Sequence, residues 1–206
     1  IHSAVECAIT MGNPQAPSIL QAFQAELDLR QGRLVDAERW ASGYDPYPLA
    51  EIPRFYLPQL TLAKVLLAQD TSSSRSAAED LLAQLTDFLQ SINVNCTLID
   101  VLALQALLHD AQGDEAAASQ KLAQALALGE LGGFIRKFVD LGAPMNDLLI
   151  RLKRQEGASG YVNQILAAFP PVTRQATLID PLTERELQVL RLLATEPSTQ
   201  EIAQEL

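Results

Sequence analysis

The chain has 206 residues, of which 48% are hydrophobic, and carries a formal net charge of −10 with a pI of about 4.6. This length is sufficient for one large core, or for a repeat array with a small second unit. Double-stranded DNA is densely negative and is bound through Lys and Arg contacts to phosphate, so an acidic body is repelled by it. Composition therefore excludes an extensive DNA-binding surface on the body of this chain.

Nothing in the sequence indicates a membrane or a secreted protein. No apolar stretch approaches the roughly 20 residues that a transmembrane helix needs. Cys7 and Cys96 lie far apart in segments with helical apolar patterns, and we expect both to be reduced, buried thiols in a cytoplasmic protein. The chain starts at Ile1 in sequence that resembles the middle of a helix, so we expect residues to have preceded it.

The first two thirds of the chain predict helical hairpins. Apolar residues at helical spacing lead to breaks at Gly32, Asp70 and Gly113, and a second helix follows each break. The breaks are 38 and 43 residues apart. Ala37 and Ala118 both lie five residues beyond a glycine, where small side chains let two helices approach closely. The pattern is a degenerate internal repeat of paired antiparallel helices.

This repeat resembles the tetratricopeptide repeat, although its spacing exceeds the usual ~34 residues and most of the aromatic marker positions are absent. The fold class we predict is all-α, a tetratricopeptide-like superhelix of helical hairpins. Such an array presents an extended concave surface for binding. A single globular helical bundle is the alternative.

A loop rich in proline and tyrosine interrupts the array after the first hairpin. It contributes Trp40, Tyr44, Tyr47 and Tyr56, with Arg54 as a polar neighbour. Aromatic rings beside polar groups can stack on a sugar or another planar ligand, so these five residues are a candidate ligand-binding site. The alternative, which we favour, is that the rings cover the crossover between two hairpins.

Beyond the array, a glycine-rich turn precedes Phe138, Asp140, Gly142, Pro144 and Met145. These residues resemble, in type and order, the segment that closes the repeat domain of the large MalT-like transcription regulators just before their DNA-binding module. Helices are expected through residues 148–152 and 161–169. A proline pair cannot continue a helix, which predicts an extended linker over 170–181 after a repeat domain over 1–169.

The tail carries two capped amphipathic helices. Thr183 with Glu186 and Ser198 with Glu201 form capping boxes, and Pro197 ends the first of the two helices. By themselves these features fit the start of a helix-turn-helix and equally any helical bundle.

Eight residues of the tail match a more specific pattern: Leu182, Thr183, Arg185, Glu186, Leu190, Glu201, Ile202 and Ala203. They resemble the opening of a LuxR-type helix-turn-helix domain, which would occupy 182–206 and lack its recognition helix. Thr199 departs mildly from the pattern, since asparagine is commoner there. The resemblance implies an incomplete DNA-binding module whose scaffold positions are Thr183, Arg185, Glu186, Thr199, Gln200, Ile202 and Ala203.

Together the two resemblances imply a fragment of a DNA-binding transcription regulator. MalT-like regulators combine an ATP-binding signalling domain, a helical-repeat sensor that binds an inducer, and a DNA-binding module. No phosphate-binding loop occurs in this chain, so we expect no cofactor here and place any ATP in an upstream domain. The expected partners are a small-molecule inducer or a protein on the repeat domain, further copies of the chain, and DNA through the complete parent protein only.

We expect no enzyme activity and no catalytic or metal-binding residues. The only histidines are His2 and His109, no Cys/His cluster has metal-ligand spacing, and no serine has a nucleophile-elbow context. The alternative function is a tetratricopeptide-like adaptor that binds proteins or peptides and has no DNA role. A proline linker followed by two capped helices favours the regulator.

Overall fold

The regular elements of the chain are α-helices, and no strand occurs among the described residues. The all-α prediction is confirmed. The chain divides into two units, Ile1–Phe169 and Pro170–Leu206, and the helices given below belong to the first. The computed structural model describes residues 16–47, 49, 56–156 and 160–170.

The first hairpin consists of α1 (Ala16–Arg30) and α2 (Leu34–Gly43). The predicted break lies at Gly32, whose φ of 74° is a left-handed conformation that glycine adopts without strain. Ala25 and Ala37 are buried between the helices. Their small side chains explain how closely α1 and α2 pack.

The second hairpin consists of α3 (Pro58–Gln69) and α4 (Ser72–Ser91), and Asp70 takes the left-handed conformation between them. Helix α4 begins with a reciprocal capping box. The Thr71 hydroxyl accepts from the backbone N–H of Ser74, and the Ser74 hydroxyl accepts from the backbone N–H of Thr71, both at 3.0 Å. Each bond satisfies a donor that a helix start leaves unpaired.

The third hairpin consists of α5 (Asn95–Gln112) and α6 (Glu115–Gly132). Gly113 ends α5 with a φ of 81°, and its backbone N–H donates to the Asp110 carbonyl at 3.0 Å. The Asp114 carboxylate caps α6 by accepting from the backbone N–H of Ala117 at 3.0 Å. All three predicted breaks are therefore confirmed.

The three hairpins stack in chain order. Helices α1, α3 and α5 pack against one another successively, and α4 packs against α5. This tandem arrangement is the one that a repeat array predicts. A continuous core from Leu57 to Ile165 joins the second hairpin to the end of the unit, and each fully buried leucine in it stabilises the fold by about 1.5–3 kcal/mol. The fully buried leucines include Leu82, Leu85, Leu89, Leu104, Leu108, Leu122 and Leu149.

Three shorter helices close the array: α7 (Arg136–Val139), α8 (Ala143–Glu156) and α9 (Gly160–Ala168). Phe138 of α7 and Met145 of α8 are fully buried. The sequence predicts α8 and α9 but misses α7, because four residues are too few to show helical periodicity.

The expectation that Cys96 is buried is wrong, and Cys7 lies outside the described residues. Cys96 is exposed, because it lies in the first turn of α5, ahead of the residues that enter the core. On α4 the buried stripe runs through Ala78 and Leu81, and the neighbouring Ala77 is exposed. None of the described helices combines the length and the apolar character that a membrane crossing requires.

Candidate binding groove

The aromatic residues of the interrupting loop do not converge on one site. Trp40 and Tyr44 stack, with ring centroids 4.9 Å apart and ring planes 24° apart, and both line an open cleft between α1 and α2 with a volume of about 1060 Å³. Burial, assisted by the charge of Asp45, raises the pKa of Tyr44 to about 12. The Tyr47 side chain is exposed, and Arg54 lies outside the described residues.

Tyr56 belongs to a different cavity. Its ring lies edge-on to Phe23, with centroids 5.7 Å apart, and its hydroxyl forms a hydrogen bond with the Thr61 hydroxyl. Burial is also the main cause that raises the pKa of Tyr56 to about 12. The prediction that these aromatic residues bind a ligand therefore divides into two places, and it stays a prediction at both.

Tyr56 marks one end of a groove along the first helices of the hairpins. The groove joins two cavities of about 470 and 540 Å³, which is the size range of small-molecule sites. We call the first cavity the aromatic end, since Phe23 and Tyr56 line it, and the second the apolar end. The apolar end is lined mainly by Leu29, Leu67, Ala68, Leu104, Leu107, Ala111, Leu141 and Pro144.

Helical periodicity explains why these residues share one surface. Residues three, four and seven positions apart lie on the same face of a helix, and each of the three stacked helices presents one such face to the groove. Helices α7 and α8 complete the lining. The faces are formed by Phe23, Glu26 and Arg30 on α1, by Leu60, Lys64 and Leu67 on α3, and by Asp100, Leu104 and Leu107 on α5.

Glu26 is the most highly coordinated charge in the groove. Its carboxylate accepts a hydrogen bond from Lys64 Nζ at 2.7 Å and one from the Thr61 hydroxyl at 3.3 Å. Arg30 Nε donates to it at 3.3 Å from one turn further along α1. Glu26 is buried, so these three donors compensate for the loss of water around the carboxylate.

Asp100 forms the second charge centre. Lys137 Nζ lies 2.5 Å from its carboxylate. Burial raises the pKa of Asp100 above its ordinary value of 3.8, and this effect outweighs the opposing influence of the hydrogen bond from Lys137 and of the charges of Lys137 and Lys64. Both lysines therefore stabilise a carboxylate that has lost most of its solvent.

The four buried or half-buried charges form a ladder along the groove. Glu26, Lys64, Asp100 and Lys137 alternate in sign, and each comes from the next helix of the stack, α1, α3, α5 and α7. They lie 38, 36 and 37 residues apart. These spacings are close to the 38 and 43 residues between the helix breaks. The first helix of each hairpin therefore supplies one charge of the ladder, and α7 supplies the fourth.

The aromatic end differs in charge from the chain as a whole. Its lining residues carry a net charge of +1, whereas the whole chain carries −10. An anion at the aromatic end therefore meets less repulsion than the net charge of the chain suggests. The charged residues of the aromatic end are Arg30, Lys64, Arg136, Lys137, Glu26, Asp100 and Asp140.

The groove is not among the sites predicted from the sequence, although the sequence carries a signal for it. Dispersed single residues form no local motif, and only the recurrence of opposite charges at a similar spacing could have indicated that Glu26 pairs with Lys64 and Asp100 with Lys137. Phe23 lies at helical spacing between Leu20 and Leu27, which is the pattern of a buried apolar stripe. It is 49% exposed, because it packs on Tyr56 at the groove rather than inside the core.

The other predicted functional positions stay predictions. The helix-turn-helix positions from Leu182 to Ala203 lie outside the described residues. His109 is half-buried on α5. Within the described residues, no three His, Cys, Asp or Glu side chains come together as a metal site would require.

The stacked hairpins agree with a comparison against protein families. A family model of the MalT-like TPR region matches residues 11–155, which is well over half of the chain and contains all three hairpins. Comparisons with curated proteins and with solved structures found no match. The chain therefore belongs to the MalT-like TPR region family.

Proposed function

We propose that this chain is the sensor part of a MalT-type transcription regulator, in which a small-molecule inducer bound in the groove controls DNA binding by the complete protein. The DNA-binding module begins at residue 182 and has the LuxR type of helix-turn-helix. The parent protein is cytoplasmic, and any ATP binds upstream of this chain. The repeat unit performs no catalysis.

Two observations support the sensor role. Membership of the MalT-like TPR region family covers the array, and the groove has the volume of a small-molecule site. The groove carries the proposal, because α1, α3, α5 and α7 line it together. Any shift of these helices relative to one another changes the shape of the groove. An occupant that contacts all four helices favours one arrangement of the array over another.

The ladder gives this coupling a physical basis. Each of its ion pairs joins one hairpin to the next element, as between Glu26 of α1 and Lys64 of α3. A ligand that replaces one partner changes the contact between neighbouring hairpins. A ligand can shift the equilibrium only by its difference in affinity for the two arrangements, and about 1–3 kcal/mol is typical for coupling between sites.

The DNA-binding part of the proposal is tested with the complete gene product. Purified protein is incubated with sheared genomic DNA, and the retained fragments are sequenced. We expect a small set of fragments that share a sequence motif. Ala203→Trp should abolish their retention, since a large side chain there would displace the recognition helix.

The matched control is Ala176→Trp, the same substitution in the predicted linker, which should retain the fragments. Retention of the same fragments by Ala203→Trp would contradict the helix-turn-helix assignment. If the unaltered protein retains no fragment, even after metabolite extracts from growing cells are added, a protein-binding adaptor is favoured instead.

A further inference from the structure

One cation of the groove has no carboxylate of its own. Glu26 binds Lys64 at 2.7 Å and Asp100 binds Lys137 at 2.5 Å. Arg30 shares Glu26 with Lys64 through a longer contact of 3.3 Å. When each described carboxylate of the groove is matched with its nearest cation, Arg30 is left over.

The remaining two carboxylates of the groove have their own partners as well. Asp140 is bound by Arg136 at 2.5 Å, and Asp110 is bound by Arg151 of α8. Of these two pairs only Asp140 with Arg136 lies in the aromatic end, where it leaves Arg30 as the source of the net charge of +1. A ligand with one negative charge would neutralise this net positive charge.

The unmatched guanidinium is available to a ligand. The side chain of Arg30 is 52% exposed and that of Arg136 is 76% exposed, and both line the aromatic end. A guanidinium presents a planar fork of donors that fits the two oxygens of an acid group. Loss of its bond to Arg30 would leave Glu26 bound to Lys64 and Thr61, so Arg30 can change partner without leaving a buried carboxylate unpaired.

The apolar end offers space for the rest of such a ligand. Its lining is mostly leucine, alanine and proline, and it adjoins the aromatic end, since Arg30, Lys64 and Leu104 line both. A molecule with an acid group at Arg30 would therefore place an apolar body between α3 and α5. Transfer of that body from water supplies affinity at about 25 cal/mol per Å² of apolar surface.

We propose that the groove binds a small organic anion, with one acid group held by Arg30 and an aliphatic or aromatic body in the apolar end. This inference rests on the proposed function, because it names the chemical class of the inducer. A neutral molecule of the same shape forms no ion pair with Arg30 and binds more weakly.

Two fluorescent probes of almost identical shape test the inference. 8-Anilino-1-naphthalenesulfonate carries one negative charge, and N-phenyl-1-naphthylamine has the same aromatic body without the sulfonate. Both are titrated into the 206-residue chain at low salt. We expect the anionic probe to bind about tenfold more tightly, a difference of about 1.4 kcal/mol, and its advantage to shrink as salt is added.

Two variants locate the effect. Arg30→Gln should weaken binding of the anionic probe about tenfold and change binding of the neutral probe less than twofold. The matched control is Arg154→Gln, which removes the same charge from an exposed position on α8 and should change neither. Circular dichroism checks that both variants are as helical as the parent chain.

Equal affinities of the two probes for the parent chain would overturn the inference. Equal weakening of the anionic probe by Arg30→Gln and Arg154→Gln would overturn it too, because the preference would then reflect overall charge. These failures are distinct from failure of the proposed function. Loss of the anion preference leaves motif-specific DNA retention intact, and absence of DNA retention leaves the probe result intact.

Discussion

Different interactions stabilise the groove and the closed end of the array, which is formed by α7, α8 and α9. At the closed end, Phe138 of α7 packs edge-on to Tyr161 of α9, with ring centroids 6.3 Å apart, and Gly129 of α6 lies against both. In the groove, Glu26 and Asp100 are held by lysines from neighbouring helices. Close packing of apolar side chains stabilises the closed end, whereas ion pairs stabilise the groove.

The difference indicates which region can respond to a ligand. A close-packed apolar contact has few alternative arrangements, and any change in the volume of its side chains is costly. An ion pair at the edge of solvent can exchange one partner for another at a small free-energy cost. We therefore expect substitutions at the closed end to change stability, and substitutions in the groove to change ligand binding more than stability.

The largest expected effect is at Phe138. Phe138→Ala removes a fully buried ring and should lower the free energy of unfolding by about 3–5 kcal/mol. Urea unfolding followed by circular dichroism measures it. The matched control is Phe23→Ala in the groove, where the ring is half-exposed, and a loss as large as that of Phe138→Ala would contradict the comparison.

A methyl group at Gly129 should have the next largest effect. Its Cβ would lie 2.7 Å from the Tyr161 hydroxyl and 3.0 Å from the Phe138 ring, so Gly129→Ala should cost about 1–3 kcal/mol through overpacking. Gly43→Ala is the control in another helix, because a Cβ there meets nothing within 4 Å. If Gly129→Ala were as stable as Gly43→Ala, α6, α7 and α9 could not pack as described.

Removal of a groove lysine should have a smaller effect on stability. Lys137→Met leaves the half-buried Asp100 without its nearest cation and should cost about 1–2 kcal/mol, with a further rise in the pKa of Asp100. The neighbouring substitution Arg136→Met breaks an exposed pair between α7 and Asp140, the residue directly after it, and should cost less than about 1 kcal/mol. Urea unfolding at neutral pH compares the two variants, and equal losses would show that burial does not distinguish the two pairs.

The smallest effect concerns alkaline pH. The pKa of Tyr56 is raised from 10.0 to about 12 in the folded protein, mainly by burial. The folded protein thus retains a proton that the unfolded chain releases, so this contribution to stability is complete below pH 10 and is lost as the pH rises through 12. Tyr56→Phe should make the decline in unfolding free energy between pH 10 and 12 less steep. An unchanged slope would show that the phenol is not buried at the groove.

Much of the fold could be predicted from local signals. Gly32, Asp70 and Gly113 end helices because a left-handed residue stops the helical hydrogen-bond pattern, and this is readable from sequence. Helix α7 could not be predicted because it is only four residues long. Its burial depends on Gly129 and Tyr161, which are distant in sequence.

The groove was harder to predict because its residues belong to different repeats. Trp40 and Tyr56 are close in sequence and were predicted to share one aromatic site, yet they line separate cavities. Charges of the ladder recur once per repeat, and in a single helix each looks like an ordinary surface residue. Only stacking of the hairpins brings Glu26 beside Lys64, so tertiary structure was needed to find the site.

The central claim is that occupation of the groove controls gene expression by the complete protein. It is tested most directly by measuring transcription from the bound promoters across growth conditions for Ala68→Trp, which fills the apolar end from an exposed position on α3. Ala77→Trp on α4 is the control. We predict that Ala68→Trp abolishes the response to growth conditions while Ala77→Trp retains it, and an unchanged response in Ala68→Trp would contradict the claim.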